Sequence, residues 1–151
     1  MKLNIGEELK ADGVQSSQKS HPLTLPQGLF GFAEITNMEL FYDLEELPFM
    51  WLREKQENGL AFIVIEPGGI IPDYAVEISD ADVEILGITG SEDTMILNIV
   101  TLPSEQSSKI SVNLVGPVIV NRNSLVAKQC IINNHEKYSA RFLLDLSDGG
   151  S

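Results

Sequence analysis

Cysteine, histidine and basic residues are scarce in this chain of 151 residues. The single cysteine, Cys130, cannot form a disulfide within the chain, which favours a reducing compartment. The two histidines, His21 and His135, lie far apart in the sequence and in no ligand motif. A zinc site takes three or four nitrogen or sulfur ligands, so we expect no metal ion.

Motifs for nucleotide binding and nucleophilic catalysis are also missing. The sequence has no Walker A loop, no GxGxxG and no GxSxG, and GLFG at residues 28–31 lacks the third glycine. Cys130 lies in the apolar run KQCII, which is typical of a buried and unreactive thiol. We therefore expect no catalytic residue and no cofactor.

Positive charge is too scarce for a nucleic-acid-binding protein. Ten lysines and arginines stand against 22 aspartates and glutamates, for a formal net charge of −12. Contacts to phosphates depend on lysine and arginine, so we expect no direct binding to nucleic acid or to an anionic membrane surface. No apolar run is long enough to span a bilayer, and the first residues, MKLNIGEELKADG, lack the apolar core of a signal peptide. We expect a cytoplasmic protein.

The apolar residues occur in short runs that end at turn residues. LAFIVI at residues 60–65 is followed by EPGG, and TMILNIVT at 94–101 is followed by Leu102-Pro103. Runs of this length, rich in β-branched residues and bounded by proline, glycine or asparagine, are typical of β-strands. The pattern predicts an all-β, mainly antiparallel, compact and barrel-like fold.

One segment has the signals of a short helix. Ser79 can cap a helix that begins at Asp80, and Gly87 is a stop signal, so we expect one helix near residues 79–87. The chain length predicts a single domain over residues 1–146. The polar residues 4–21 are expected to form a mobile loop or arm, and residues 147–151 are expected to fray. No heptad pattern indicates a coiled coil, and we expect a monomer.

Negative charge is concentrated in the middle of the chain. From Gln56 to Ser108 there is no lysine or arginine, while ten carboxylates give this window a net charge of −10. Two interpretations are open: a solvated face that keeps the protein soluble, or a surface that steers and docks a basic protein.

Aromatic residues form three clusters, at residues 29–32, 41–42 and 49–52. Most are expected in the core, Trp51 included, although alternate side chains of a strand point outward. An outward aromatic side chain would be an interface residue.

Several motifs appear in an order typical of one bacterial family. They are PQGLFGF at 26–32, PFMWL at 48–52, NLVGPVIVN at 113–121, Gln129 and YSAR at 138–141, with AF at 61–62, PDY at 72–74 and IVT at 99–101 between them. On these motifs, over residues 22–144, the chain resembles the FliW family of flagellar assembly factors. It departs from the family at Gly116, where alanine is usual, and at Phe30, where proline is usual.

The resemblance implies a binding protein without catalysis. FliW proteins bind flagellin and the translational regulator CsrA, which represses flagellin synthesis on its messenger RNA. Free FliW sequesters CsrA, and accumulating flagellin captures FliW and releases CsrA. The resemblance thus implies two protein partners, flagellin and CsrA, and a switch between them.

The charge pattern suggests where these partners bind. An RNA-binding regulator is expected to carry a basic surface, which the acidic window could match. The carboxylates expected to dock CsrA are Asp73, Glu77, Asp80, Asp82 and Glu84. For flagellin we expect an exposed apolar or aromatic patch that includes Tyr74.

Three other functions stay open at this point. One is a small-molecule-binding β-barrel, such as a flavin or lipid carrier, which would need an interior cavity. Another is an enzyme of unknown class, which would need a cleft with converging titratable groups. The third is a structural part of the flagellum, which would assemble into a polymer.

Overall fold

The computed structural model describes residues 1–3, 17–56, 59–102 and 108–145. Within these ranges β-strands make up most of the regular secondary structure. The strands are β1 (Lys2–Leu3), β2 (Gln18–Thr24), β3 (Asn37–Asp43), β4 (Phe49–Arg53), β5 (Ala61–Ile65), β6 (Val76–Glu77), β7 (Thr94–Thr101), β8 (Lys109–Val112), β9 (Val118–Asn121), β10 (Ala127–Gln129) and β11 (Phe142–Asp145). Helix α1 spans Asp80–Leu86, and single 3-10 turns lie at Ser91–Asp93 and His135–Lys137.

The main sheet is antiparallel throughout its strand pairs. Its order is β10-β9-β7-β5-β4-β3-β2, with β8 paired to both β7 and β11, while β1 and β6 form a separate small sheet. The amide of Thr24 donates to the carbonyl of Leu125 at 3.0 Å, so the end of β2 contacts the chain just before β10. The sheet curls but does not close into a barrel. The predicted all-β, mainly antiparallel and barrel-like class is confirmed.

Two apolar cores lie on the two faces of this sheet. One surrounds Met50, Leu52 and Val64, and the other surrounds Ile65 and Ile119. Strand alternation explains the division, because successive side chains point to opposite faces. In β4, Met50 and Leu52 are buried while Trp51 between them is 41% exposed. The expectation that Trp51 lies in the core was therefore wrong.

The N-terminal arm was predicted to extend too far, because its last residues belong to strand β2. Residues 18–21, predicted as part of a loop, pair with β3 in register from Gln18 opposite Asp43 to Thr24 opposite Asn37. The side chains of β2 are mostly exposed, so the segment is polar, and its pairing with a buried neighbour determines its conformation. The predictions of a mobile arm and of a frayed C-terminal end also concern residues 4–16 and 147–151. These residues lie outside the described part of the chain.

Helix α1 begins and ends where the sequence predicts. The hydroxyl of Ser79 accepts a hydrogen bond from the amide of Asp82 at 3.1 Å. Gly87 ends the helix with a φ of 66°, a left-handed conformation that glycine adopts without strain. Asn121 donates from Nδ2 to the carbonyl of Leu86 at 2.9 Å, which ties the last turn to β9. None of the helices in the described ranges is long and apolar enough to cross a membrane.

Candidate partner-binding surfaces

The exposed face of helix α1 carries both charge and apolar area. Asp80 and Glu84 lie one turn apart, and both are exposed. Ile85, beside Glu84, is 42% exposed. Helix residues Asp82 and Leu86 point the other way and are buried. The helix therefore presents two neighbouring carboxylates and an exposed apolar side chain.

Asp82 does not belong to this exposed set. Its Oδ1 lies 2.9 Å from Nζ of Lys128 on β10, and both side chains are largely withdrawn from solvent. A carboxylate paired in this way presents little charge to a partner. The prediction that Asp82 contributes to an exposed acidic surface was therefore wrong. Residues 56–108 contain no lysine or arginine, and the cation that pairs with Asp82 comes from β10, later in the chain.

Asp73 and Glu77 precede helix α1 in the chain and differ in exposure. Asp73 is exposed and has a φ of 56°, which is uncommon for a residue with a side chain. Glu77 is half-buried, its carbonyl accepts from the amide of Asn133 at 2.6 Å, and its strand position is opposite Lys2. Lys2 places a positive charge beside Glu77, so the acidic surface is centred on α1 rather than on this strand.

Tyr74 is part of the core. It is 4% exposed, its hydroxyl donates to the carbonyl of Leu114 at 2.7 Å, and Nδ2 of Asn98 donates to that hydroxyl at 3.1 Å. Its ring packs edge-to-face on Tyr138 with centroids 5.0 Å apart. Burial raises the pKa of Tyr74 well above its usual value. The expectation that Tyr74 belongs to an exposed patch was wrong.

A second surface, which the sequence reasoning missed, surrounds Trp51. On β4 Trp51 stands opposite Phe41 of β3 on one side and Ile63 of β5 on the other, and both neighbours are half-buried. The guanidinium of Arg53 lies over the Phe41 ring, 4.1 Å from its centroid. The exposure of Trp51 could have been predicted from the alternation in FMWLR, which places Trp51 on the opposite face of the strand from Met50 and Leu52.

The turn at residues 28–32 presents another exposed aromatic ring. Phe30 is 53% exposed, and its amide donates to Oε1 of Gln129 at 2.9 Å. The Gln129 amide group also donates from Nε2 to the carbonyl of Gly116 at 3.0 Å. Gln129 thus connects three segments that the sequence analysis singled out separately. This arrangement holds the turn in place beneath the exposed ring.

The asparagines of the NLVGPVIVN segment serve local backbone structure. Oδ1 of Asn113 accepts from the amides of Val115 and Gly116, and Oδ1 of Asn121 accepts from those of Asn123 and Ser124. Both are the short-range bonds that asparagine makes at turns.

No metal-binding group or reactive thiol is found among the described residues. Three or more histidine, cysteine or acidic side chains nowhere converge there in a way that could hold a metal ion. Cys130 is fully buried, as predicted, and burial raises its pKa to about 12. A thiol with such a pKa is protonated at neutral pH and is a poor nucleophile.

Comparison with known proteins identifies the family of the chain. A family model described as FliW protein matches residues 8–144. The chain is 40% identical over 139 residues to the flagellar assembly factor FliW of Leptospira biflexa serovar Patoc, covering 92% of this chain and 90% of the relative. It is 33% identical over 122 residues to the protein of the same name from Treponema pallidum, covering 81% and 80%.

A solved structure agrees with this. The crystal structure of a flagellar assembly factor FliW superposes with a TM-score of 0.70 at 25% identity, over 97% of this chain and 96% of the other. The family model spans most of the chain, and the relatives align over most of their own length. On these matches, the chain belongs to the FliW family.

Proposed function

We propose that this chain is a flagellar assembly factor that binds flagellin and CsrA and sequesters CsrA until flagellin displaces it. The observation that carries the proposal is membership of the FliW family across residues 8–144. The relatives cited above have the name flagellar assembly factor. A switch of this kind depends on differences between two affinities, so it needs surfaces that distinguish the partners.

The exposed face of α1 is the surface that we assign to CsrA. Asp80 and Glu84 supply negative charge to meet the basic surface expected of an RNA-binding regulator, and Ile85 supplies apolar area beside them. Asp73, which is exposed, adds negative charge on the preceding segment, whereas Glu77 lies opposite Lys2 and adds little. Complementary charge of this kind raises the association rate and selects the partner.

Charge reversal on α1 tests this assignment. The double variant D80K/E84K should associate with CsrA about tenfold more slowly at low ionic strength, and its association rate should depend less on salt. The matched control is E45K/E46K, which changes the net charge equally at two exposed positions in the turn before β4. Equal rates for the two variants in stopped-flow experiments would contradict docking at α1.

Calorimetry tests the proposed function itself. The purified chain should bind flagellin and CsrA from its own source, each with a measurable heat and a defined stoichiometry. Binding to flagellin alone would restrict the protein to a chaperone or sensor of flagellin. Failure to bind either partner would refute the proposal, and the small-molecule-carrier hypothesis would then be tested by looking for a bound chromophore or lipid.

A further inference from the structure

Asn121, the last residue of β9, contacts two separate parts of the molecule through the two ends of its side-chain amide. Its Oδ1 accepts from the amides of Asn123 and Ser124, at 2.8 and 3.1 Å, in the turn that leads to β10. Its Nδ2 donates to the carbonyls of Leu86 and Gly87, at 2.9 and 3.4 Å, where helix α1 ends. Local backbone structure explains the first pair of bonds, but not the second pair.

Helix α1 has little to stabilise its own C-terminal end. It has seven residues, and isolated helices shorter than about 12 residues are only marginally stable in water. The last carbonyls of a helix have no partner within the helix, and basic side chains in the last turn often bind them. The last turn of α1 has no basic residue. The Asn121 amide supplies a donor to these carbonyls from the neighbouring strand.

Glu84 adds to the need for this donor. It lies in the last turn of α1, where the helix dipole is negative and a negative side chain is unfavourable. The same position exposes its carboxylate on the surface that we assign to CsrA. A residue that opposes local preference is expected at a functional site, with compensation from elsewhere in the fold. The hydrogen bonds from Asn121 provide such compensation.

The position of Asn121 is itself fixed by the sheet. All four residues of β9 are buried, and β9 pairs with β7 on one side and with β10 on the other. The turn after Asn121 is held by Arg122, whose amide donates to the carbonyl of Asp93 at 2.7 Å and whose Nε donates to the carbonyl of Thr94 at 2.8 Å. A group on a rigid strand can hold a neighbouring element in one place.

We infer that Asn121 is a positioning residue for CsrA binding, because it fixes the last turn of α1 and thereby the orientation of Glu84 and Ile85. The inference rests on the proposed function and adds how that surface keeps its shape before CsrA arrives. The ion pair of Asp82 with Lys128 holds the middle of the helix, and Asn121 holds its end. Such preorganisation raises affinity, because less conformational freedom is lost on docking.

Asn113 offers a matched control for Asn121. Its Oδ1 accepts from the amides of Val115 and Gly116 at 3.0 and 2.9 Å, which is the same pair of turn bonds. Among the described residues, its side chain makes no hydrogen bond to α1. N121D keeps the acceptor for the turn but replaces the donor to α1 with a carboxylate oxygen. N113D adds the same charge without removing a bond to the helix.

Calorimetry with CsrA compares these variants. N121D should weaken CsrA binding at least about fivefold, and N113D less than about twofold. The background E84Q/I85A separates positioning from a general loss of structure, because it lacks both exposed side chains of the last turn. In that background N121D should weaken binding less than about twofold, since nothing remains there to be positioned. A general loss of stability would weaken binding equally in both backgrounds.

Amide hydrogen exchange examines the helix without CsrA. The amide of Gly87 donates to the carbonyls of Val83 and Glu84 at 2.9 and 3.1 Å. In N121D this amide should exchange at least about tenfold faster than in the unmodified protein, because the helix end opens more often. N113D should leave its exchange unchanged. N121S and N113S add no charge and keep a weaker acceptor for the turn, so they repeat both comparisons if N121D does not fold.

The outcomes separate this inference from the proposed function. Faster exchange at Gly87, with a loss of CsrA affinity that is specific to Asn121 and disappears in E84Q/I85A, would support the inference. Unchanged exchange, equal affinity in the Asn121 and Asn113 variants, or an equal loss in both backgrounds would overturn it while the proposed function stands. If the unmodified protein does not bind CsrA, the proposed function fails and the inference fails with it.

Discussion

Nζ of Lys128 lies 2.9 Å from Oδ1 of Asp82, and this ion pair fastens helix α1 to strand β10. The sequence separates the two residues widely and gives no sign that they meet. The pair divides the carboxylates of α1 into two kinds. Asp82 supports the position of the helix, while Asp80 and Glu84 on its exposed face are free to act on a partner in solution.

This division predicts opposite effects for two amide substitutions. D82N should lower the free energy of unfolding by about 1–3 kcal/mol, because Lys128 loses its charged partner in a largely buried setting. E84Q should change stability little and slow CsrA association. Chemical denaturation and stopped-flow binding measure the two effects. A D82N variant with normal stability and slow association would contradict the assignment.

Two glycines near the Phe30 turn should respond differently to alanine. At Gly28, with a φ of 63°, a Cβ would lie 2.3 Å from the carbonyl oxygen of Phe32, so G28A should be strongly destabilised. At Gly116 a Cβ would make ordinary contacts, the nearest 3.4 Å away on Gln129. G116A should therefore be neutral or up to about 1 kcal/mol more stable. Thermal unfolding of both variants measures this, and a large loss of stability in G116A would show that the space beside Gln129 does not admit a methyl group.

Removal of the Tyr74 hydroxyl should affect folding and not binding. In Y74F the carbonyl of Leu114 and Nδ2 of Asn98 each lose a hydrogen-bond partner inside the core, at a cost of about 1–3 kcal/mol. Flagellin affinity should stay at the level of the unmodified protein, because the ring is buried. Denaturant titration and calorimetry give the two values. A loss of flagellin affinity without a loss of stability would restore Tyr74 as a binding residue.

Stability should fall in alkaline solution through the buried thiol. Burial raises the pKa of Cys130 to about 12, whereas an unfolded thiol titrates near about 8.5. Above that pH the unfolded chain releases a proton that the folded chain keeps, so the free energy of unfolding falls with rising pH. The stabilisation is complete below about pH 8.5 and is lost as the pH approaches 12.

The slope of this loss identifies its source. One proton corresponds to about 1.4 kcal/mol for each pH unit. C130A should therefore show a shallower decline between pH 9 and pH 10 than the unmodified protein, with Tyr74 contributing only at higher pH. Urea titrations at several pH values provide the comparison. Parallel curves for the two proteins would show that Cys130 does not keep its proton in the folded state.

The sequence predicted those parts of the fold that depend on residues close together in the chain. The strand class followed from short apolar runs, and the position of α1 followed from Ser79 and Gly87. Strand β2 was missed because its polar side chains resemble a loop, and only its register with β3 gives it a strand conformation. Long-range pairing of this kind has no signature in a single segment.

The binding surfaces were predicted less well, because exposure depends on tertiary packing. The run of carboxylates was visible in the sequence, but the pairing of Asp82 with Lys128 was not. Tyr74 and Trp51 were assigned to opposite environments from those observed, 4% and 41% exposed. Strand alternation could have placed Trp51 opposite its buried neighbours Met50 and Leu52, but only the fold shows how far its side chain is exposed.

The most direct test of the account is a competition experiment in the calorimeter. CsrA is titrated into the free protein and then into the preformed complex with flagellin, at one ionic strength and temperature. A switch between partners predicts a clear binding heat in the first titration and a much weaker one, or none, in the second. Equal CsrA affinity in the two titrations would contradict a switch between partners.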